Sequence, residues 1–123
     1  MIDATISVFL ADDNAIIREG VRAMLQRESD LVIVGVAEDY DSLISGAAEL
    51  APSVVVSDIR MPPNFQREGI DGCKEIRKRS PGTGIVILSQ YDDPDYAIAL
   101  LSERYNRKLW IAVLFVGAAY LPS

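Results

Sequence analysis

The sequence predicts one α/β domain in which helices cover both faces of a doubly wound parallel sheet. Short apolar runs alternate with amphipathic segments along the chain, and this alternation is typical of repeated strand–helix units. The 123 residues are enough for one buried core, since half of them are apolar and 24% are charged. We therefore expect residues 1–123 to form a single domain.

Two strand–helix units are predicted in the first half of the chain. The runs Ile6–Ala11 and Leu31–Ala37 are apolar and rich in β-branched residues, which favours buried strands. The charged residues of the first helix, including Arg18, are expected to face solvent. The expected helix caps are Asn14 for the first helix and Asp41 or Ser42 for the second.

Two further strands and two further helices are predicted in the second half. The strands are Val54–Asp58 and Ile85–Ser89, and a long loop separates the first of them from a helix at Asp71–Arg79. A fourth helix is expected at about Asp95–Tyr105. Cys73 is expected to be a half-buried residue of the third helix without a redox role.

The C-terminal run Leu109–Val116 predicts a fifth strand, because most of its residues are aromatic or β-branched. A helix is the alternative, since a nearly all-apolar run has no usable period. The chain ends before a fifth helix could form, so we expect the last helix of the pattern to be missing. Apolar surface from Val8, Val34 or the C-terminal run would then stay exposed unless something else covered it, and we expect self-association through the C-terminal segment.

Composition excludes several kinds of function. The chain has no histidine, which excludes histidine acid–base chemistry and histidine metal ligands, and its one cysteine excludes an internal disulfide. A net charge of −6 disfavours direct binding to nucleic acid. The longest apolar stretch, Leu109–Leu121, is shorter than the ~20 residues that span a bilayer. We expect a cytoplasmic protein that binds neither nucleic acid nor membranes by itself.

Polar residues end three of the predicted strands. Asp12 and Asp13 follow the first strand, Asp58 ends the third, and Ser89 ends the fourth. The carboxyl ends of parallel strands meet at one edge of the sheet, where ligands of such folds bind. Each acid alone could be a helix cap, but gathered carboxylates favour a bound Mg²⁺, with Mn²⁺ as a possible substitute. One carboxylate could then act as a nucleophile and form an aspartyl phosphate.

Ala11–Asn14 (ADDN), Asp58–Pro62 (DIRMP) and Leu88-Ser89 resemble the motifs of response-regulator receiver domains. The Pro62-Pro63 loop that ends in Glu68-Gly69 and the phrase Leu88–Tyr91 (LSQY) are similar to receivers of the NarL/FixJ (LuxR-type) subgroup. The resemblance covers residues 5–103, while residues 104–123 diverge from the family pattern. It implies a flavodoxin-like or CheY-like fold with strand order 2-1-3-4-5. It also implies a DNA-binding output domain in a longer parent protein.

The resemblance assigns a role to each polar residue at the sheet edge. It makes Asp58 the phosphoacceptor and Ser89 the switch hydroxyl that follows the phosphate. The metal ligands would be Asp12, Asp13, Asp58 and the backbone carbonyl of Arg60. The implied partner is a sensor histidine kinase. The domain would not be an enzyme beyond self-catalysed transfer of the phosphoryl group to itself.

One family feature is absent from the sequence. The family places a lysine at the end of the fifth strand, but Lys108 precedes the predicted strand and would lie roughly 25 Å from the phosphate edge. In another alignment Ser123 takes the lysine position. The alternative function is therefore a degenerate, unphosphorylated receiver that acts in protein–protein interaction or dimerisation, through the C-terminal segment or the face of the fourth helix. A phosphatase with an aspartyl intermediate is a third, weaker hypothesis.

Overall fold

Five parallel strands form one sheet in the order β2-β1-β3-β4-β5. The computed structural model describes residues 5–89 and 111–115, with the side chains of residues 5–88. The strands are β1 (Ile6–Ala11), β2 (Leu31–Ala37), β3 (Val54–Asp58), β4 (Gly84–Ser89) and β5 (Ile111–Phe115). The helices are α1 (Ala15–Leu25), α2 (Tyr40–Leu50) and α3 (Glu68–Arg79). This order confirms the predicted doubly wound topology.

The first helix begins where the sequence predicts. The side-chain oxygen of Asn14 accepts hydrogen bonds from the backbone N–H groups of Ile16 and Ile17, which satisfies two donors at the start of α1. Val21 is the buried residue of this helix. The predicted cap is confirmed, and it fixes the direction in which the chain leaves β1.

The predicted cap of the second helix was wrong. Asp39 caps α2, and its carboxylate accepts a hydrogen bond of 2.8 Å from the backbone N–H of Ser42. The Ser42 hydroxyl in turn lies 2.6 Å from the Asp39 carboxylate and accepts a bond from the Asp39 backbone N–H. Ser42 is thus the third helical residue of a capping box, and the helix starts before the position that the sequence suggested.

Two apolar clusters lie on opposite faces of the sheet. One contains Phe9, Leu43 and Ile70 and is covered by α2 and α3. The other contains Val8, Leu10 and Val21 and is covered by α1. Val8 is therefore covered, at 3% exposure, so it does not contribute the exposed apolar surface that the sequence suggested for an uncovered face.

Cys73 is also more buried than the sequence suggested. It is fully buried in the cluster on the α2 and α3 face, because that side of α3 lies directly against the sheet.

Among the described residues, no helix has the length and hydropathy needed to cross a membrane.

The fifth strand is confirmed within its predicted range. It pairs in parallel with β4, and Ile111 lies beside Ile85 while Phe115 lies beside Ser89. The carboxyl end of β5 therefore reaches the same sheet edge as the carboxyl end of β4. The predicted fourth helix, Lys108, and the C-terminal residues 116–123 with the expected missing helix all lie outside the described residues.

Candidate metal centre

Three carboxylates lie together at the carboxyl edge of the sheet. Asp12 and Asp13 follow β1 directly, and Asp58 is the last residue of β3. β1 and β3 are neighbours in register, with Ala11 beside Ser57, so these strands end side by side. One carboxylate oxygen from each acid lies within 4.8 Å of the others. This separation would allow one small cation to contact all three groups.

Burial and mutual repulsion change the acidity of this cluster. Asp58 is 5% exposed, and its pKa is raised from 3.8 to about 7, mainly by burial and then by the charge of Asp12. Asp12 is 1% exposed, and burial together with the charge of Asp13 raises its pKa as well. Hydrogen bonds to the charged forms oppose both shifts without cancelling them. A bound cation would remove most of this penalty.

The Asp58 carboxylate is held by the backbone that follows it. The Ile59 N–H donates a hydrogen bond of 2.8 Å to Oδ1, and the backbone N–H of Arg60 also lowers the Asp58 pKa through a hydrogen bond. The Ser57 hydroxyl donates to the Asp58 carbonyl oxygen at 2.9 Å. These bonds fix the carboxylate relative to the end of β3.

Gly69, near the start of α3, lies against the backbone of Asp58. Its N–H donates to the Ile59 carbonyl oxygen at 2.8 Å, and a Cβ at this position would lie 1.6 Å from the Asp58 carbonyl oxygen. Only glycine permits this approach of a helix to the strand end. The sequence placed Gly69 at the end of the loop but did not show this contact, because a glycine in a sequence pattern does not reveal what lies beside it.

Asp12 offers an oxygen that suits a cation. Its Oδ1 accepts a hydrogen bond of 2.9 Å from the Asn14 N–H. Its Oδ2 is buried and has no hydrogen-bond partner within the described part of the chain. A buried carboxylate oxygen without a partner is costly, and a hard cation is the ligand that satisfies it.

Arg18 does not face solvent as the sequence suggested. Its side chain is 12% exposed, and its Nη1 donates a hydrogen bond of 2.8 Å to the Asp12 carbonyl oxygen. It also lies 3.5 Å from Glu38, a side chain that is 69% exposed. The charge pattern of α1 could not reveal this contact, since it depends on a side chain that folds back toward the end of β1.

The loop before α3 is organised by a buried acid whose hydrogen bonds the sequence did not show. Glu68 accepts hydrogen bonds from the backbone N–H groups of Asn64 and Gln66, at 2.6 and 2.9 Å. Burial alone would raise the pKa of Glu68, but its bonds to backbone N–H groups outweigh burial and lower the pKa. A glutamate in the first turn of a helix was the available signal.

The other predicted site residues are only partly described. Leu88 pairs with Asp58 across β3 and β4, so the backbone of Ser89 lies at the same sheet edge. The Ser89 side chain, Lys108 and Ser123 lie outside the described side chains. Arg60 is two residues beyond Asp58, and the role of its carbonyl oxygen as a ligand stays a prediction.

The sequence matches the response regulator receiver domain family over residues 8–109. The transcriptional regulatory protein YxjL of Bacillus subtilis is 36% identical over 91 residues, which are 74% of this chain and 40% of YxjL. The oxygen regulatory protein NreC of Staphylococcus haemolyticus is 32% identical over 76% of this chain and 42% of its own length. The chain thus spans about two fifths of the length of these relatives.

Solved receiver structures share the fold. The isolated receiver domain of RcsB from Salmonella enterica, determined with the phosphomimetic BeF₃⁻, is 30% identical with a TM-score of 0.71, over 80% of this chain and 71% of that one. The receiver domain of NarL from Mycobacterium tuberculosis has a TM-score of 0.73 over 89% of this chain and 83% of that one. Its 23% identity makes it evidence for the fold alone.

Proposed function

The chain belongs to the response regulator receiver domain family, and we propose that Asp58 is its phosphoacceptor in a two-component signalling pathway. The observation that carries this proposal is the position of Asp58. Its buried carboxylate ends a central strand and lies within 4.8 Å of two further carboxylates at the sheet edge. A nucleophilic carboxylate beside a cation site is the arrangement that phosphoryl transfer to an aspartate requires.

The residues present fit Mg²⁺, and Mn²⁺ could replace it. Asp12, Asp13 and Asp58 would supply carboxylate oxygens, and the Arg60 carbonyl would supply a fourth ligand. The buried, unpartnered Oδ2 of Asp12 supports this fit, because a cation would satisfy it. When bound, the ion supplies positive charge that offsets the crowded carboxylates and the incoming phosphoryl group.

The transfer step can be stated for the Asp58 carboxylate. One of its oxygens forms a bond to the phosphorus of a phosphohistidine on a sensor histidine kinase, and the P–N bond to the imidazole breaks. The leaving nitrogen keeps the electron pair. Asp58 must be ionised to react, and the hydrogen bonds from Ile59 and Arg60 favour that form. The Ser89 hydroxyl would then bond the phosphoryl group and start the conformational switch.

The proposed output lies outside this chain. The relatives are named as transcriptional or oxygen regulatory proteins, and this chain spans only about two fifths of them. We therefore place DNA binding in another domain of a longer parent protein. Self-association through the C-terminal segment or the fourth-helix face would transmit the signal. The proposed location is the cytoplasm, where a sensor histidine kinase would phosphorylate the domain.

A second candidate is an unphosphorylated receiver that acts only as an interaction module. The observation in its favour is that residues 109–123 contain no lysine, so none follows β5, which ends at Phe115. Without that ammonium group, the phosphoryl transfer would be slower or would not be coupled to the switch.

Intact-mass spectrometry after incubation with acetyl phosphate and Mg²⁺ separates the two candidates. The phosphoacceptor hypothesis predicts a mass increase of ~80 Da in the wild type and its loss in D58N. D41N, which removes an exposed carboxylate on α2, should retain the adduct. A folded wild-type protein that gains no adduct with Mg²⁺ would support the interaction module instead.

A further inference from the structure

Arg18 is a partly buried cation next to the carboxylate cluster. Its side chain is 12% exposed, whereas that of Arg22, one turn further along α1, is 40% exposed and pairs with Glu19 at 3.9 Å. The Nε of Arg18 is buried without a hydrogen-bond partner in the described region. Burial of an incompletely paired guanidinium costs free energy that an exposed position on the same helix would avoid. Arg18 thus differs from Arg22 in exposure and in direction, because its guanidinium reaches back to the end of β1.

We propose that Arg18 is a positioning residue that holds the peptide between Asp12 and Asp13, and so keeps the Asp13 carboxylate beside Asp12 and Asp58. The inference rests on the proposed function, because it concerns the cation site at which phosphoryl transfer would occur. It adds a residue that touches neither the cation nor the phosphoryl group.

The hydrogen bonds around Asp12 explain how Arg18 could hold this peptide in place. Its backbone N–H donates to the Ala37 carbonyl oxygen at 3.0 Å, and its carboxylate accepts from the Asn14 N–H. The Asp12 carbonyl oxygen belongs to the same planar peptide group as the Asp13 nitrogen. The 2.8 Å bond from Arg18 therefore fixes the plane from which Asp13 extends. Asp13 itself is exposed, so packing does not hold it in place.

The ion pair with Glu38 does not explain the position of Arg18. The two groups are 3.5 Å apart, and Glu38 is 69% exposed, so solvent screens their attraction. The bond to the Asp12 carbonyl is shorter and partly buried, and a hydrogen bond from a charged donor is among the stronger kinds. The contact with Asp12 therefore decides where the guanidinium lies.

Removal of Arg18 would have two opposite effects on cation affinity, one through its charge and one through its hydrogen bond to Asp12. A guanidinium near the site repels a divalent cation, so the loss of its charge alone would tighten cation binding. The loss of its hydrogen bond frees the Asp12–Asp13 peptide, which would weaken binding. Removal of a group that orients a metal ligand commonly lowers metal affinity by roughly 10- to 100-fold. We expect the second effect to exceed the first.

Mn²⁺ binding measured by electron paramagnetic resonance tests this inference without phosphorylation. We expect R18M to bind Mn²⁺ roughly tenfold more weakly than the wild type, and R18K, which keeps a charged donor, to recover most of the affinity. R22M, which removes an exposed arginine from the same helix, should bind like the wild type. The measurement is made at a temperature where circular dichroism shows each variant folded. If R18M does not fold, the shorter and uncharged R18Q replaces it, and we again expect weaker Mn²⁺ binding than in the wild type.

Three results would overturn the inference. R18M binding as tightly as the wild type, or more tightly, would show that Arg18 does not position the ligands. An equal loss in R22M would show a general effect of charge on the helix. Failure of the wild type itself to bind Mn²⁺ would overturn the proposed function and the inference with it. Wild-type binding with unchanged R18M would overturn the inference alone.

Discussion

Replacing Asp58 with asparagine should remove a pH-dependent loss of stability. In the metal-free protein, burial and the neighbouring acids raise the Asp58 pKa from 3.8 to about 7. Between these values the folded state binds a proton that the unfolded state has released, so the free energy of unfolding falls as pH rises. Below the unfolded pKa both states are protonated and the penalty vanishes. Above about pH 7 the penalty is complete.

The size of this penalty follows from the pKa difference. Each pKa unit corresponds to 1.36 kcal/mol, so the rise from 3.8 to about 7 gives a penalty of ~4 kcal/mol at high pH. This is a large part of the 5–15 kcal/mol that stabilises a typical domain of this kind. Asparagine has nearly the same shape and no charge. D58N should therefore be more stable than the wild type at high pH, and the difference should shrink toward pH 4.

Urea unfolding followed by circular dichroism, from about pH 4 to about pH 8 with a chelator present, measures the effect. D41N is the control, because it removes an exposed carboxylate outside the cluster and should change little across the range. Added Mg²⁺ should stabilise the wild type at high pH more than D58N, since it binds the ionised cluster. A wild type and a D58N variant with parallel pH profiles would refute the reasoning, because the Asp58 carboxylate would then carry no penalty for its burial.

Two further predictions concern Gly69 and Cys73. G69A should destabilise the fold by at least ~2 kcal/mol and abolish the acetyl phosphate adduct, because its methyl group would meet the Asp58 carbonyl oxygen. G20A, on open helix surface, should instead stabilise the fold by about 0.5–1 kcal/mol. Equal urea midpoints for the two variants would show that residue 69 is not in close contact with the Asp58 carbonyl oxygen. The Cys73 thiol is fully buried, and burial raises its pKa to about 12, so Ellman's reagent should not modify the native protein. One equivalent should react after unfolding in urea, and rapid reaction of the native protein would show that the α3 face opens.

The sheet could be predicted closely because each strand is a short apolar run between polar turns. Ile6–Ala11, Leu31–Ala37 and Val54–Asp58 have the bounds that the sequence predicted, and β4 begins only one residue earlier than expected. Helix starts were harder, because several polar residues in succession can each act as a cap. Asp39 was missed in this way, since the choice depends on which side chain reaches back to the free N–H groups.

The gathering of the carboxylates could be predicted because it depends on topology alone. Once the strands are parallel and adjacent, the residues at their carboxyl ends must share one edge. Arg18 and Gly69 could not be found in this way, because their roles depend on a rotamer and on the distance between a helix and a strand. A sequence pattern shows which face of a helix a residue occupies, but it does not show that one arginine bends toward a carbonyl or that a helix touches the Asp58 backbone.

The charge at the sheet edge connects these observations. Before transfer, Asp12, Asp13 and Asp58 crowd three carboxylates into one pocket, and the metal-free fold loses stability for this reason. In the proposed phosphorylated state, Asp58 would carry a phosphoryl group whose charge is about −1.5 to −2, so the site would become more negative than before. That state would therefore depend on a bound cation more strongly than the unmodified state. Any residue that keeps Asp13 in place, as we propose for Arg18, would then affect the lifetime of the signal as well as its formation.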